Sequence, residues 1–267
     1  MAIVLKVAGV IGLLLLFLYV GMLSLLYAFQ DQFVFPAPPD IEIALPEFAE
    51  VVTMKAADGV ILKHLRLHRS HEAPSVLFFH GNGSSAKYEF QRGLELYRAG
   101  FNVLLAEYRG YGGSEGEPSA AALLADGLAT FDWYVEQRGQ PVFLYAHSLG
   151  TGIATHIASQ REVAGVALES PYNSLAKLAA SKYPIFPVRT LFRHEIASES
   201  NVEKARASLL VIHGEKDTII PPKFGKLLFE ASKAEKKLLK VIAGAGHNDL
   251  ILHGVIDQVV IFFNQEL

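Results

Sequence analysis

A serine, an aspartate and a histidine, in that chain order and each behind an apolar run, define the chemistry to consider: Ser148, Asp217 and His247. Serine is a poor nucleophile at neutral pH and needs a base to take its proton. The base needs a carboxylate to fix its tautomer and stabilise the imidazolium. A tetrahedral oxyanion then needs backbone N–H donors. Such groups together perform acyl transfer. Ser148 lies in Val142-Phe143-Leu144-Tyr145-Ala146-His147-Ser148-Leu149-Gly150-Thr151-Gly152, an apolar run that ends in a serine among small residues. A helix-like segment, Ile153 to Gln160, follows. Strand, sharp turn and helix make a nucleophile elbow, whose strained backbone tolerates only small neighbours. Ala146 stands where the pattern G-x-S-x-G has its first glycine, and Gly150 keeps the second.

His247 lies in the Gly-rich loop Ala243-Gly244-Ala245-Gly246-His247-Asn248-Asp249, between a strand and the last helix. Alone it reads as a helix-capping histidine; the order Ser, Asp, His makes it the base. Asp217 follows the strand Leu209 to Ile212 in His213-Gly214-Glu215-Lys216-Asp217. Its plainer role is a turn or helix cap before Pro221, and Glu169 and Glu215 are rival acids because both follow strands. Asp217 is favoured because its loop has room to reach beneath His247. The glycines of His80-Gly81-Asn82-Gly83 turn backbone N–H groups toward a reacting carbonyl, which assigns the oxyanion donors to the N–H of Asn82 and of Leu149. His80 is expected to brace that loop. The plainer alternative is a Gly-rich turn without function.

Short apolar strands alternating with helices must position these residues, which implies a mostly parallel sheet covered on both faces: an α/β fold. Before them, Glu47 to Ala57 and Val60 to His68 read as a hairpin around Asp58-Gly59. Helices are expected over Ser84 to Ala99, Ser119 to Gln137, Lys223 to Ser232 and Leu250 to Gln265. Residues 171–205, rich in Tyr, Phe and Pro, are long for a connection in such a fold. They form either a small cap lining an acyl pocket or a surface loop with one helix, Leu175 to Ser181. The catalytic domain is expected over 47–267, after a connector at 31–46 and an apolar segment at 1–30.

Val7 to Phe29 is 23 residues without a charge, about 34 Å as a helix and enough to cross a bilayer core of about 30 Å. The run exceeds the usual apolar length of a signal peptide, and no A-x-A site follows, so an uncleaved anchor is expected over a cleaved leader. Lys6 before the span and Asp31 after it favour a cytoplasmic N-terminus with the bulk of the chain on the far side. Net charge is −3 with no basic run, which argues against nucleic acid as a partner. The chain has no cysteine, so disulfides, a thiol nucleophile and Cys-based metal sites are excluded. No H-E-x-x-H or dinucleotide fingerprint occurs, so neither metal nor cofactor is expected. Asn82-Gly83-Ser84, the one N-x-[ST] sequon, lies in the oxyanion loop, where a glycan would block the site. A bacterial inner membrane therefore suits the chain better than a eukaryotic lumen.

The serine elbow, His80-Gly81-Asn82-Gly83, Arg109-Gly110-Tyr111-Gly112-Gly113-Ser114, His213-Gly214-Glu215-Lys216-Asp217 and Gly244-Ala245-Gly246-His247 together resemble the α/β-hydrolase fold. With the apolar anchor ending near Phe33-Val34-Phe35-Pro36 and the insertion beginning Glu169-Ser170-Pro171-Tyr172, they are similar to one membrane-anchored branch. That branch holds the bud-emergence-type proteins and the α/β-hydrolase-domain depalmitoylases. The resemblance implies a serine hydrolase of esters or thioesters, with lysophospholipids or acylated proteins as lipid-like substrates. It also implies that Arg109 to Gly116 is a structural loop, so that Ser114 is not a second nucleophile. Two other readings stand beside it: a non-catalytic binding protein on the same fold, and a peptidase of that fold.

Overall fold

A computed structural model describes residues 1–267. The chain opens with the helix α1 (Ala2–Ala28) and, after a break at Phe29, the short helix α2 (Gln30–Val34). The mean hydropathy of α1 reaches 2.6, and it is long and apolar enough to cross a membrane. Then come β1 (Ala49–Lys55), β2 (Ile61–Leu67), β3 (Ser75–Phe79), α3 (Phe90–Arg98), β4 (Asn102–Ala106) and α4 (Ala120–Arg138). The second half holds β5 (Val142–His147), α5 (Gly150–Ala158), β6 (Gly165–Glu169), α6 (Leu175–Lys182), α7 (Val188–Leu191) and α8 (Ser198–Val202). It closes with β7 (Leu209–Gly214), α9 (Pro222–Ala231), β8 (Lys237–Ile242) and α10 (Val255–Asn264).

The eight strands form one sheet in the order β1-β2-β4-β3-β5-β6-β7-β8. The hairpin β1–β2 is antiparallel and joins β4 antiparallel, whereas every pair from β4 to β8 is parallel. The mostly parallel sheet is the α/β fold that the alternation of elements predicts. The two-residue period of a strand divides the core. From β5, Val142, Leu144 and Ala146 enter a cluster of 31 buried residues, while Phe143 and Tyr145 enter a second of 22 on the opposite face. Edge strand β8 is only half covered, and Lys237 and Lys240 along it discourage further pairing.

Helix α4 follows its sequence signals closely. Ser119 caps it by accepting from the N–H of Ala122 at 3.2 Å, and Gly139 ends it at φ 63°. Three expected elements differ. The helix expected from Ser84 begins only at Phe90, because the turns before it are drawn to Glu107, whose Oε2 accepts from the N–H of Ala86 at 2.9 Å. The expected last helix divides into a 3-10 turn (Leu250–His253) and α10, at Gly254 with φ 72°. Residues 171–205 hold three helices, α6 to α8, rather than one.

Candidate active site

Strand β5 delivers Ser148 to the carboxyl edge of the sheet, where parallel open sheets place their sites. The backbone there enters the left-handed region, with φ 51° at Ser148, and helix α5 starts two residues later. A non-glycine residue in that region costs about 1–3 kcal/mol and persists only where packing enforces it. The enforcement is visible in the neighbours. A Cβ on Gly150 would lie 2.3 Å from the carbonyl oxygen of Phe79, and one on Gly152 would lie 2.1 Å from the Tyr172 hydroxyl. The α5 backbone is therefore pressed directly against β3 and the start of the insertion.

Three side chains from three loops join in one hydrogen-bonded line. His247 Nε2 lies 2.9 Å from Ser148 Oγ, and its Nδ1 lies 2.7 Å from Asp217 Oδ2. All three residues are buried. Asp217 Oδ1 accepts from the N–H of Ile219 at 2.9 Å and of Ile220 at 2.8 Å, which fixes the carboxylate plane. Burial works to raise the Asp217 pKa, but hydrogen bonds from His213 and His247 outweigh it and hold the carboxyl well below the usual range. The rival acids are engaged elsewhere. Glu215 accepts from the N–H of Gly244 at 3.0 Å. Glu169 is buried against Tyr145 and Arg92, with Arg92 Nη1 2.7 Å away.

The loop after β3 covers the serine. A Cβ on Gly81 would meet the Ser148 Cβ at 3.2 Å. The backbone N–H groups of Asn82 and Leu149 donate to no protein acceptor, which leaves both available to a ligand oxygen. The Asn82 side chain is held between Val34, whose carbonyl accepts from Nδ2 at 2.7 Å, and the Tyr111 hydroxyl at 3.3 Å. His80 sits beneath the loop as the brace its position suggests. Its Nε2 lies 2.9 Å from Glu107 Oε1 and its Nδ1 2.8 Å from the carbonyl of Gly81. The Tyr108 hydroxyl donates to the His80 carbonyl at 2.7 Å. Ser114 lies apart from this line: its Oγ accepts from the N–H of Lys63 at 2.9 Å. In the same loop Arg109 clamps Asp126 of α4 through two bonds of 2.6 Å.

Two histidines of the site escape sequence reasoning. His147 Nε2 donates to the backbone carbonyl of His247 at 3.1 Å, holding that residue's main chain, and burial pushes the His147 imidazole pKa below the ordinary value. His213 Nε2 donates to the carbonyl of Ile220 at 2.7 Å and lies 3.3 Å from Asp217 Oδ2. His147 adjoins Ser148 and His213 lies four residues before Asp217, but neither position announces these contacts. An apolar cavity of about 280 Å³ lies beside the site, lined by the end of α1, by α2, by α6 and α7, and by Asn82 and Ile219. Residues 171–205 thus pack against the N-terminal helix. A second, polar cavity of about 210 Å³ lies behind Glu107, between Lys63, His64 and Lys87.

Residues 70–193 match the family model described as serine aminopeptidase, S33. An uncharacterized protein of Mycobacterium tuberculosis is 33% identical over 238 residues, which is 86% of this chain and 84% of that protein. The lysophosphatidylserine lipase ABHD12 of Xenopus tropicalis is 30% identical over 236 residues, 79% of this chain. The matched region is 61% of that lipase's length. Among solved structures, an esterase of Pyrococcus furiosus superposes with a TM-score of 0.70 at 20% identity, covering 86% of this chain and 98% of the esterase. A monoacylglycerol lipase of Paleococcus ferrophilus gives 0.61 at 21% identity, covering 77% and 99%.

Proposed function

The chain belongs to the α/β-hydrolase family, and on that premise we propose that it is a membrane-anchored serine hydrolase of carboxylic esters or thioesters. The observation that carries the reading is the line Ser148–His247–Asp217, with bonds of 2.9 and 2.7 Å, set at a left-handed elbow beside two uncommitted N–H groups. Ser148 Oγ attacks the acyl carbonyl while His247 Nε2 takes its proton. Asp217 keeps the proton on His247 Nδ1 and stabilises the imidazolium. The N–H groups of Asn82 and Leu149 receive the oxyanion. His247 then protonates the leaving group, and afterwards activates the water that releases the acyl group from Ser148.

Lipid-like acyl esters suit the surroundings. The cavity beside the site has 14 hydrophobic residues among its 18, and Lys182 is its only charged one. An aminopeptidase would need a carboxylate to hold the free α-amine of its substrate, and no Asp or Glu lines this space. That favours ester substrates over the peptides in the family model's description. The Xenopus relative's name points the same way, toward monoacyl phospholipids. Helix α1 is read as an uncleaved anchor, because its end packs against the cap: the Tyr19 hydroxyl donates to the carbonyl of Ile185 at 3.0 Å. Lys6 ahead of the span favours a cytoplasmic N-terminus, with the hydrolase on the far face of a bacterial inner membrane.

The test is labelling of the detergent-solubilised protein with a small fluorophosphonate, wild type against Ser148→Ala, followed by hydrolysis of p-nitrophenyl esters. Labelling and turnover that both vanish in the variant support the reading. Ester hydrolysis that survives Ser148→Ala overturns it.

A further inference from the structure

Helix α1 does more than tether. Its last turns and the cap grip each other at two levels. At the lower level the Tyr19 ring stacks on Phe186, with centroids 5.4 Å apart. At the upper level the Arg193 guanidinium lies 5.0 Å over the Tyr27 ring. There Gln30 donates to the carbonyl of Leu191 at 3.1 Å and accepts from the N–H of Arg193 at 2.7 Å. Asp31 meets His194 Nε2 at 2.5 Å. Beside these contacts lies the cavity of about 280 Å³, with Leu23 and Leu26 of α1 on one wall and Leu178 and Leu191 of the cap among those facing them. Lys182 Nζ is already committed to the carbonyl of Thr218 at 2.6 Å. Asn82 lines the cavity too, whereas Ser148 and His247 do not, so the space meets the catalytic centre at the oxyanion loop.

The depth of this cavity in a bilayer follows from helix geometry. Counted from Val7, where the uncharged run begins, Tyr19 lies about 18 Å and Tyr27 about 30 Å along the axis at 1.5 Å per residue. A hydrocarbon core spans about 30 Å, so the Tyr27–Arg193 contact falls at the membrane surface, where tyrosines concentrate, and the Tyr19–Ile185 contact lies about 12 Å beneath it. Ile185 at the cap tip is 71% exposed, as expected of a side chain that faces lipid.

We propose that this cavity is the acyl-chain site, that the membrane helix is one of its walls, and that the substrate is a single-chain acyl lipid entering sideways from the adjoining leaflet. The proposal rests on the serine-hydrolase reading above. A methylene fills about the volume share of a water molecule, roughly 30 Å³, so 280 Å³ accommodates roughly nine of them. One chain fits, with any excess length left in the lipid, and the cavity has no room for a second chain beside it. Leu23 and Leu26, residues of the anchor, thereby become determinants of chain length.

The experiment uses the full-length protein in detergent micelles and p-nitrophenyl esters from acetate to palmitate. Its readout is the ratio of kcat/KM for decanoate to that for acetate. Burial of each methylene raises kcat/KM by up to about fourfold until the cavity is full. Leu26→Trp and Leu178→Trp fill it from opposite walls, and each is expected to lower the ratio at least tenfold. Leu26→Ala widens the same wall and is expected to move the preferred chain longer, which keeps the test decisive if the bulkier variants do not fold. Fluorophosphonate labelling of Ser148 reports that each variant retains its site. An unchanged ratio and an unchanged preferred length in labelled variants overturn the proposal while leaving the hydrolase reading intact. Hydrolysis that persists in Ser148→Ala overturns the hydrolase reading instead.

Discussion

Asp217→Asn is the sharpest probe of the proposed catalytic line, because the geometry specifies how it fails. Asp217 Oδ1 is held by the N–H groups of Ile219 and Ile220 at 2.9 and 2.8 Å, so an asparagine must keep its carbonyl oxygen there. Its amide nitrogen is then forced into the place of Oδ2, 2.7 Å from His247 Nδ1. Two donors cannot share that position. The imidazole answers by moving its proton to Nε2 and accepting at Nδ1, which aims an N–H at Ser148 Oγ where a lone pair is required. A wrong-tautomer base of this kind lowers kcat about 10⁴-fold, roughly 5.4 kcal/mol at 1.36 kcal/mol per decade. The assay is p-nitrophenyl ester turnover under saturating substrate, with a thermal melt as control. The control matters because Asp217 has a depressed carboxyl pKa and stabilises the fold above the unfolded carboxylate range, an effect lost as pH falls. A folded Asp217→Asn protein within tenfold of wild-type kcat would refute the argument and show that another group orients His247.

Other outcomes follow from the same packing. Glu169→Gln should leave kcat within about threefold, because Glu169 serves Arg92 rather than His247; breaking that buried pair should cost roughly 3 kcal/mol in a denaturant titration. Gly150→Ala pushes a methyl into backbone, 2.3 Å from the Phe79 carbonyl, and should destabilise by about 3 kcal/mol, seen as a fall in Tm of roughly 6–12 °C. His64 is fully buried, and burial pushes its pKa down to about 4. The unfolded chain takes up that proton near pH 6.5 and the folded one only near 4, so stability falls as pH drops through this window and is constant above it. Between pH 7 and 5 wild type should lose about 2 kcal/mol more than His64→Gln, measured by denaturation at each pH; equal losses would remove His64 from the account.

The parts legible in the sequence are those that short-range rules control. Ser119 and Gly139 bracket α4 because capping is local, and the apolar runs of β3 to β7 announce a parallel interior because both faces must be covered. The convergence of Ser148, Asp217 and His247 was accessible through chain order, since each follows a strand of one sheet and must emerge at the same edge. The remainder depends on contacts between distant segments. Nothing near His213 announces that its ring also faces Asp217, and nothing in the apolar run of α1 distinguishes the face toward lipid from the turns that meet the cap. Residues 171–205 could be read as cap or loop because Phe186 and Arg193 find their ring partners, Tyr19 and Tyr27, only when α1 packs beside them. The turn at Ser84 to Glu89 was masked for a similar reason: its local composition permits helix, and Glu107, nearly twenty residues later, takes the backbone for itself.

The alternation of β5 between two core clusters has a consequence for how such a chain can change. Val142, Leu144 and Ala146 belong to one face and Phe143 and Tyr145 to the other. Removing or adding a single residue in this strand would exchange the faces of every side chain beyond the change. Tyr145 would leave Arg92 and Glu169, and Ser148 would reach the sheet edge turned away from His247. The pleat therefore acts as a reading frame in three dimensions. Loops of this protein can lengthen by any count of residues, but the strand ahead of the serine can change only in steps of two.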